Sequence, residues 1–317
     1  MRKLLIVVPC YNEQEVLPQT IEKLSDVLND LFKKGKITND SGLVLVNDGS
    51  RDKTWDIIKE HHDKTNYVFG VNLGNNAGHQ NALLAGLEYA QDKSDITVTI
   101  DADLQDDTSV IEQMIDKYND GFEVVYGVRN DRKTDSFFKR FTAGVFYKLM
   151  SFLGAKTVDN HADFRLMSNT AVKALMQYKE RNIFLRGIVT RLGFKSDSVY
   201  YARKERTAGE TKYPLRKMLS FAWEGITSLS IKPIKLIMFL GLVIMICSII
   251  ALAYVLISYF LNETNRGWAS LMISIWFLGG VQLFSIGIVG QYVGKTYIET
   301  KERPRFYVSE ILDYEKV

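Results

Sequence analysis

Short apolar runs separated by amphipathic stretches organise about the first 130 residues of the chain. Lys3–Val8, Gly42–Val46, Tyr67–Leu73, Asp95–Ile100 and Glu123–Tyr126 read as strands. Between them, Glu13–Lys34, Lys53–His62, Asn76–Gln91 and a stretch ending at Tyr118 read as helices, the last capped by Thr108 or Ser109. Apolar strands alternating with helices predict a parallel sheet with helices on both faces. The region has no internal repeat and no long Pro- or Ser-rich linker; Asp40-Ser41-Gly42 only punctuates helix and strand.

The pattern then changes. In Ser136–Leu153, Phe137, Phe141, Val145, Leu149 and Phe152 recur at helical spacing, with Lys139, Arg140 and Lys148 off the stripe. This suits a helix lying at a membrane surface, with an ordinary core-facing amphipathic helix as the alternative. Tyr213–Ser230 is similarly amphipathic. Leu236–Asn262 and Gly267–Gly294 contain no charged residue. Each exceeds the roughly 20 apolar residues that span a bilayer, so two transmembrane helices are expected. The short Glu263–Arg266 connection makes them an antiparallel hairpin. The expected organisation is therefore a soluble domain over 1–213, a juxtamembrane helix over 214–233, two spans over 234–294 and a tail over 295–317.

Charge orients this arrangement. Lys232 and Lys235 precede the first apolar run, and Lys295, Lys301, Arg303 and Arg305 follow the second. The positive-inside rule then puts the soluble domain and both termini in the cytoplasm of a multi-pass cell-membrane protein. The opening Met1–Val8 mimics a signal peptide, but its apolar run stops at Pro9 and is too short. Net charge is only +3, yet Tyr200–Lys235 carries eight basic residues against three glutamates, which favours anionic headgroups. No nucleic-acid partner is expected. Cys10 and Cys247 lie in a strand and in an apolar helix, and no disulfide is expected between them.

The chemistry-bearing residues gather at strand ends. Asp101-Ala102-Asp103-Leu104-Gln105-Asp106 leaves the end of an apolar strand at once. Acids there are costly unless something cationic meets them, and in an α/β sheet that edge is where ligands bind. Hard divalent ions take carboxylate oxygens, and Mg²⁺ commonly uses one or two of them plus substrate phosphates. A metal-bound diphosphate is therefore expected, with Asp101 and Asp103 on the metal. Pro9-Cys10-Tyr11-Asn12-Glu13 and Asn47-Asp48-Gly49-Ser50-Arg51-Asp52 share the same predicted edge. Pro9 and Tyr11 suit a wall for a flat base. Asp48 suits a uracil N–H or ribose hydroxyl, or else a turn or helix cap.

Taken together, PCYNE at 9–13, NDGS at 47–50, NAGHQNA at 76–82, DADLQD at 101–106 and GVR at 127–129 resemble glycosyltransferase family 2. Asp163-Phe164-Arg165-Leu166 and the basic loop Arg203–Tyr213 resemble its polyprenyl-phosphate branch, of bacterial undecaprenyl-phosphate glucosyltransferases and dolichol-phosphate mannose synthases. The resemblance implies a Rossmann-like GT-A domain that moves one sugar, with inversion, from a nucleotide-sugar donor to a polyprenyl phosphate. It implies Mg²⁺ or Mn²⁺ held by Asp101, Asp103 and Gln105. It implies nucleoside contacts from Pro9, Tyr11, Glu13 and Asp48, and phosphate contacts from Arg129, Arg203 and Lys212. Arg206 joins that basic loop, with Asp103 and Asp163 in the catalytic set; Arg165 belongs to the substrate side or is held by Asp163. Asp163 either positions the acceptor phosphate or acts as a base. Relatives also imply a homo-oligomer, a tetramer being favoured. The chain departs slightly in having Glu210-Thr211 before Lys212, though the hydroxyl is kept.

Other readings fare worse. No GxGxxG follows the first strand, against a dinucleotide oxidoreductase. The Gln-x-x-Arg-Trp motif of processive polysaccharide synthases is absent. Gly290–Thr296 has the wrong spacing for a phosphate loop. A non-catalytic membrane scaffold stays open and is separable by assay. His61 and His62 are expected to be solvated and His79 to make a local hydrogen bond, while His161 is ambiguous. Gly279, Gly280, Gly287, Gly290 and Gly294 allow close helix approach. Arg303–Val308 is expected to extend along a sheet edge, its own or a neighbour's.

Overall fold

The computed structural model describes residues 1–129, 161–181, 183–202, 227, 230, 232–260 and 267–314. The amphipathic stretch 136–153, almost all of 213–230, the connection 263–266 and the basic-loop residues Arg203, Arg206 and Lys212 lie outside the described residues.

The predicted alternation is present. β1 (Leu4–Cys10), α1 (Leu17–Lys33), β2 (Gly42–Asn47), α2 (Thr54–Lys64), β3 (Val68–Leu73), α3 (His79–Ala90), β4 (Ile96–Thr99), α4 (Val110–Asn119) and β5 (Val124–Arg129) follow in order. Helix starts differ from expectation. Residues 13–16 form a turn whose Glu13 carbonyl accepts from the Val16 and Leu17 amides, and α1 begins only where Pro18 fits its first turn. Ser109 is the N-cap of α4, but its side chain makes no capping bond.

The sheet is mixed rather than parallel. β6 (His161–Ser168), α5 (Asn169–Met176), α6 (Leu185–Arg191) and β7 (Ser196–Tyr201) follow β5. The eight strands run in the order β7-β5-β6-β4-β1-β2-β3-β8, where β8 is Val308–Leu312 near the C-terminus. β6 is antiparallel to both β4 and β5, and β8 is antiparallel to β3. The physical reason is in β6 itself. Asp163 and Arg165 interrupt its apolar run, so the sequence shows a motif rather than a strand. Phe164 and Leu166 on the opposite face are nevertheless buried.

Side chains of β1 divide between two cores. Leu5 and Val7 join a cluster with α3, α5 and α6, while Leu4, Ile6, Val8 and Cys10 join one with α1 and α4. On the first face α3 lies close to the sheet. A Cβ at Gly86 would sit 2.3 Å from Val7 Cγ1 and 2.8 Å from Val46 Cγ2.

The C-terminal third holds two long helices, α7 (Lys232–Phe260) and α8 (Trp268–Thr300), which pack on each other. Among the described residues one stretch, Phe277–Thr300, is long and apolar enough to cross a membrane. Its large apolar side chains stand outward, Leu283 and Phe284 at 74% and 70% exposure. The tail then adds β8 to the edge of its own sheet. Trp55 Nε1 donates to Glu310 at 3.1 Å, and Tyr314 stacks on His62 at 4.4 Å. His62 is therefore partly buried between Tyr314 and the Val68 carbonyl, 2.7 Å away, rather than solvated.

The packing of α3 generates a stability prediction. Gly86→Ala gains about 1 kcal/mol of helix propensity but forces a methyl into Val7, and overpacking costs about 1–3 kcal/mol. The contact distances put it at the upper end, so the melting temperature in detergent should fall. An unchanged or raised melting temperature would refute the close packing.

Candidate functional site

Because β1, β2, β3 and β4 run parallel, the loops after them share one edge. The first two are stitched together. Asn12 takes a left-handed φ of 54°, its amide donates to Ser50 Oγ and its side-chain oxygen accepts from the Arg51 amide. The Glu13 amide donates to Thr54 Oγ1, and the Gln14 amide to Asp52. The loop after β3 closes on both. A Cβ at Gly49, φ 62°, would lie 2.5 Å from the backbone of Asn75 and Asn76.

Asp48 makes the next link. It is buried, and its two oxygens accept from the amides of Ala77 at 2.7 Å and Gly78 at 3.1 Å. Asp48 therefore holds the two amides that precede α3 and caps no helix of its own. Gly78, φ 91°, then starts α3, and His79 becomes the first helical residue.

His79 stands between two carboxylates. Its Nε2 is 3.5 Å from Asp101 Oδ1 and 3.5 Å from Asp163 Oδ2. Asp101 ends the run from β4. Asp163 reaches it because β6 pairs with β4, Thr99 opposite Arg165. Asp163 is bracketed by guanidinium groups. Arg165 donates to its Oδ1 at 2.7 Å, and Arg186, in α6, donates to Oδ2 at 3.0 Å and Oδ1 at 3.3 Å. Gln80 fixes α6 by accepting from the Leu185 amide at 2.8 Å.

The two carboxylates therefore behave oppositely. Burial raises the pKa of Asp101 to about 6, with the charges of Asp163, Asp106 and Asp103 adding to it and His79 opposing. Its Oδ1 is enclosed and, among the described residues, has no hydrogen-bond partner. Burial also works against ionised Asp163, but His79, Arg186 and Arg165 outweigh it and hold that carboxyl well below the usual range. His79 is raised: burial opposes its charge, but Asp163 and Asp101 favour it.

The rest of the acidic loop is built around Asp106. Leu104 takes a left-handed φ of 55°, and Gln105 and Asp106 are buried. Asp106 Oδ1 accepts from Arg129 at 2.9 and 3.1 Å and from the Tyr201 hydroxyl at 2.6 Å. Half-buried Asp103 accepts from the Gln105 amide at 3.2 Å.

Of the residues expected from sequence, Asp101, Asp163 and Arg165 converge, with Arg165 only 2% exposed behind the site. Tyr11 is exposed, Glu13 half-buried and Pro9 buried on the adjoining loops. Arg129 is engaged by Asp106. Sequence reasoning missed Arg186, which sits in no motif, and placed His79 as a local hydrogen-bonding residue rather than between two motifs.

Among the described residues no three His, Cys, Asp or Glu side chains form a ready-made metal cage. The enclosed, unpartnered Oδ1 of Asp101 nevertheless fits a divalent cation held by one or two carboxylates, with the remaining ligands supplied by a bound diphosphate.

Comparison with known proteins agrees with this geometry. Residues 5–176 match the family described as Glycosyl transferase family 2. A Bacillus subtilis (strain 168) protein named Uncharacterized glycosyltransferase YkoT is 53% identical, covering 96% of this chain and 90% of its own length. The Prophage bactoprenol glucosyl transferase homolog of Escherichia coli (strain K12) is 38% identical over 98% of this chain and 99% of its own. The Bactoprenol glucosyl transferase of Shigella phage SfV is 38% identical over 96% and 98%. With more than half its length inside the family domain, and relatives of this identity along nearly all of it, the chain belongs to glycosyl transferase family 2.

Proposed function

We propose that this chain transfers glucose from a UDP-linked donor to a polyprenyl phosphate at the cytoplasmic membrane surface, with inversion. The observation that carries the reading is the split charge at the strand edge. Asp101 has His79 alone beside it, while Asp163, which shares His79 at the same 3.5 Å, also has Arg165 and Arg186. One half suits a cation–diphosphate, the other an anionic nucleophile. The glucose and the lipid come from the names of the relatives.

The acceptor would be a phosphate monoester, whose second pKa near 6 leaves it mostly dianionic at pH 7. Its oxygen attacks C1 of the sugar, the C1–O bond to the diphosphate breaks, and the nucleoside diphosphate leaves with the bonding pair. No strong base is needed. Asp163, held ionised by three cationic neighbours, binds a proton too weakly to act as one, so it positions. Asp101 and Asp103, with Gln105, would hold Mg²⁺ or Mn²⁺, which supplies Lewis-acid stabilisation of the leaving diphosphate. Tyr11, Glu13 and the Asp48 loop would receive the nucleoside. Arg203, Arg206 and Lys212 would add positive charge when the two anionic substrates meet. Both apolar helices would span the bilayer as a hairpin, with both termini cytoplasmic. Close helix contacts through the α8 glycines would support a homo-oligomer, a tetramer being favoured; the tail pairs within its own chain, and cross-linking in membranes tests the assembly.

The deciding assay offers purified protein a panel of nucleotide sugars with undecaprenyl phosphate. Transfer from UDP-glucose is expected; no transfer from any donor would favour a scaffold. Two variants sharpen it. Asp103→Asn should cut transfer about a hundredfold or more with an unchanged melting temperature, since a half-buried ligand contributes little to the core. Full activity in EDTA would sink the metal assignment. Asp163→Asn should lose most activity and destabilise the fold by about 3 kcal/mol, because Arg165 is left buried without its counter-charge. Its residual rate should keep the wild-type pH profile; loss of the acidic limb would make Asp163 a base.

A further inference from the structure

We propose that Thr20 and Tyr201 are positioning residues that hold the acidic loop 101–106 near its two ends and so preset Asp103 and Gln105 for a divalent cation, an inference that rests on the metal reading proposed above. Neither residue lies in a motif that the sequence displays. One comes from α1 and the other from the end of β7.

Thr20 holds the start of the loop. It is fully buried, and its hydroxyl donates to the Ala102 carbonyl at 2.7 Å. A hydroxyl has one proton to give, and the Val16 carbonyl of its own helix is farther away, at 3.1 Å. The bond therefore ties α1 to the loop rather than closing on the helix.

Tyr201 holds the end of the loop. Its hydroxyl donates at 2.6 Å to Asp106 Oδ1, the oxygen that Arg129 also engages. Burial and the charge of Asp106 push the Tyr201 pKa up, so the hydroxyl keeps its proton and remains a donor. The ring has little freedom to follow a moving loop. It meets Phe164 edge-on at 5.6 Å, and β7 sets Tyr201 opposite Arg129 in β5. A Cβ at Gly127 would lie 2.8 Å from Phe164 Cδ1 and 3.1 Å from Tyr201 Cε1, so β5 leaves room for the two rings and no more. Asp106 is thus referred to three strands of the sheet.

The cation-facing part of the loop lies between these two fixtures. Leu104 takes a left-handed φ of 55°, a conformation that a side-chain-bearing residue keeps only where its surroundings impose it. Asp103 and Gln105 flank it, and Asp103 accepts from the Gln105 amide at 3.2 Å. Their spacing and direction follow from the backbone that Thr20 and Tyr201 fix. Small divalent ions such as Mg²⁺ tolerate little error in ligand geometry, and ligands placed beforehand cost less to order on binding.

Binding of Mn²⁺ to the full chain in detergent micelles tests the inference without any sugar transfer. Free Mn²⁺ is read by its paramagnetic resonance signal in the presence of UDP, with UDP alone as the control. Wild type should take up more Mn²⁺ than UDP alone does. Tyr201→Phe, which loses only the hydroxyl, should weaken that binding about tenfold. Thr20→Val, which keeps the shape of the side chain, should weaken it about fivefold or more. In transfer assays both should raise the donor KM, while the acceptor KM stays within about twofold. A merely structural role would lower the melting temperature and the folded fraction but leave the affinity of the folded protein unchanged. Wild-type Mn²⁺ affinity in either folded variant therefore overturns the inference and leaves the proposed reaction standing. If Tyr201→Phe does not fold, Thr20→Val decides alone. Wild-type protein that takes up no Mn²⁺ beyond that held by UDP overturns the inference and the metal assignment together.

Discussion

The buried carboxylate of Asp163 is the constraint on which the rest of the site depends. Arg165, on the same strand, is fully enclosed, and a buried guanidinium without its counter-charge costs several kcal/mol, far more than an exposed ion pair is worth. The pair lies within β6, but its surroundings do not. Around it β4 brings Asp101 near, α3 presents His79 and α6 presents Arg186. Elements far apart in the chain therefore meet at one charge. The meeting divides two aspartates of similar intrinsic acidity: burial raises Asp101, which has His79 alone beside it, while His79, Arg186 and Arg165 hold Asp163 low.

A second set of bonds decides where His79 stands. Nothing in α3 itself directs its first residue toward Asp101. The direction comes from Asp48, whose oxygens hold the two amides just before the helix, and from Gly49, whose missing side chain lets the 75–76 backbone approach. The nucleoside side of the proposed site and its chemical centre are thus joined through backbone rather than through a flexible side chain. Moving Asp48 would therefore move His79.

The legible parts of the sequence are those with a period. β1 to β5 and their helices follow from apolar runs and turn residues, and the acids at 101–106 announce themselves by their place at a strand end. β6 was not legible because its function is written into its strand, with Asp163 and Arg165 on one face. β7 and β8 carry too few buried residues to show a run, and only pairing with β5 and β3 makes them strands. Arg186 has no local signal at all; its partner lies 23 residues away and is visible only once α6 has folded back. Arg129 has partners that its motif does not announce. The family resemblance offers it to a phosphate, and buried Asp106 and Tyr201 engage it in the fold.

The end of α8 adds a constraint that its apolar composition does not reveal. An anchor needs only length and hydropathy, yet this helix is tied on both sides of the site. Glu299 and Arg305 hold the segment before α6, while Tyr307 accepts from the Gly74 amide and Ser309 donates to the Asn72 carbonyl at the end of β3. The β3 end leads to the loop that Asp48 holds, and the segment before α6 leads to Arg186. The end of α8 and the segment after it therefore register the loop after β3 and the segment before α6 against each other. A helix that only tethered the domain would need neither set of bonds. With both, the position of α8 relative to the strand-end loops becomes a property of the fold rather than of a linker.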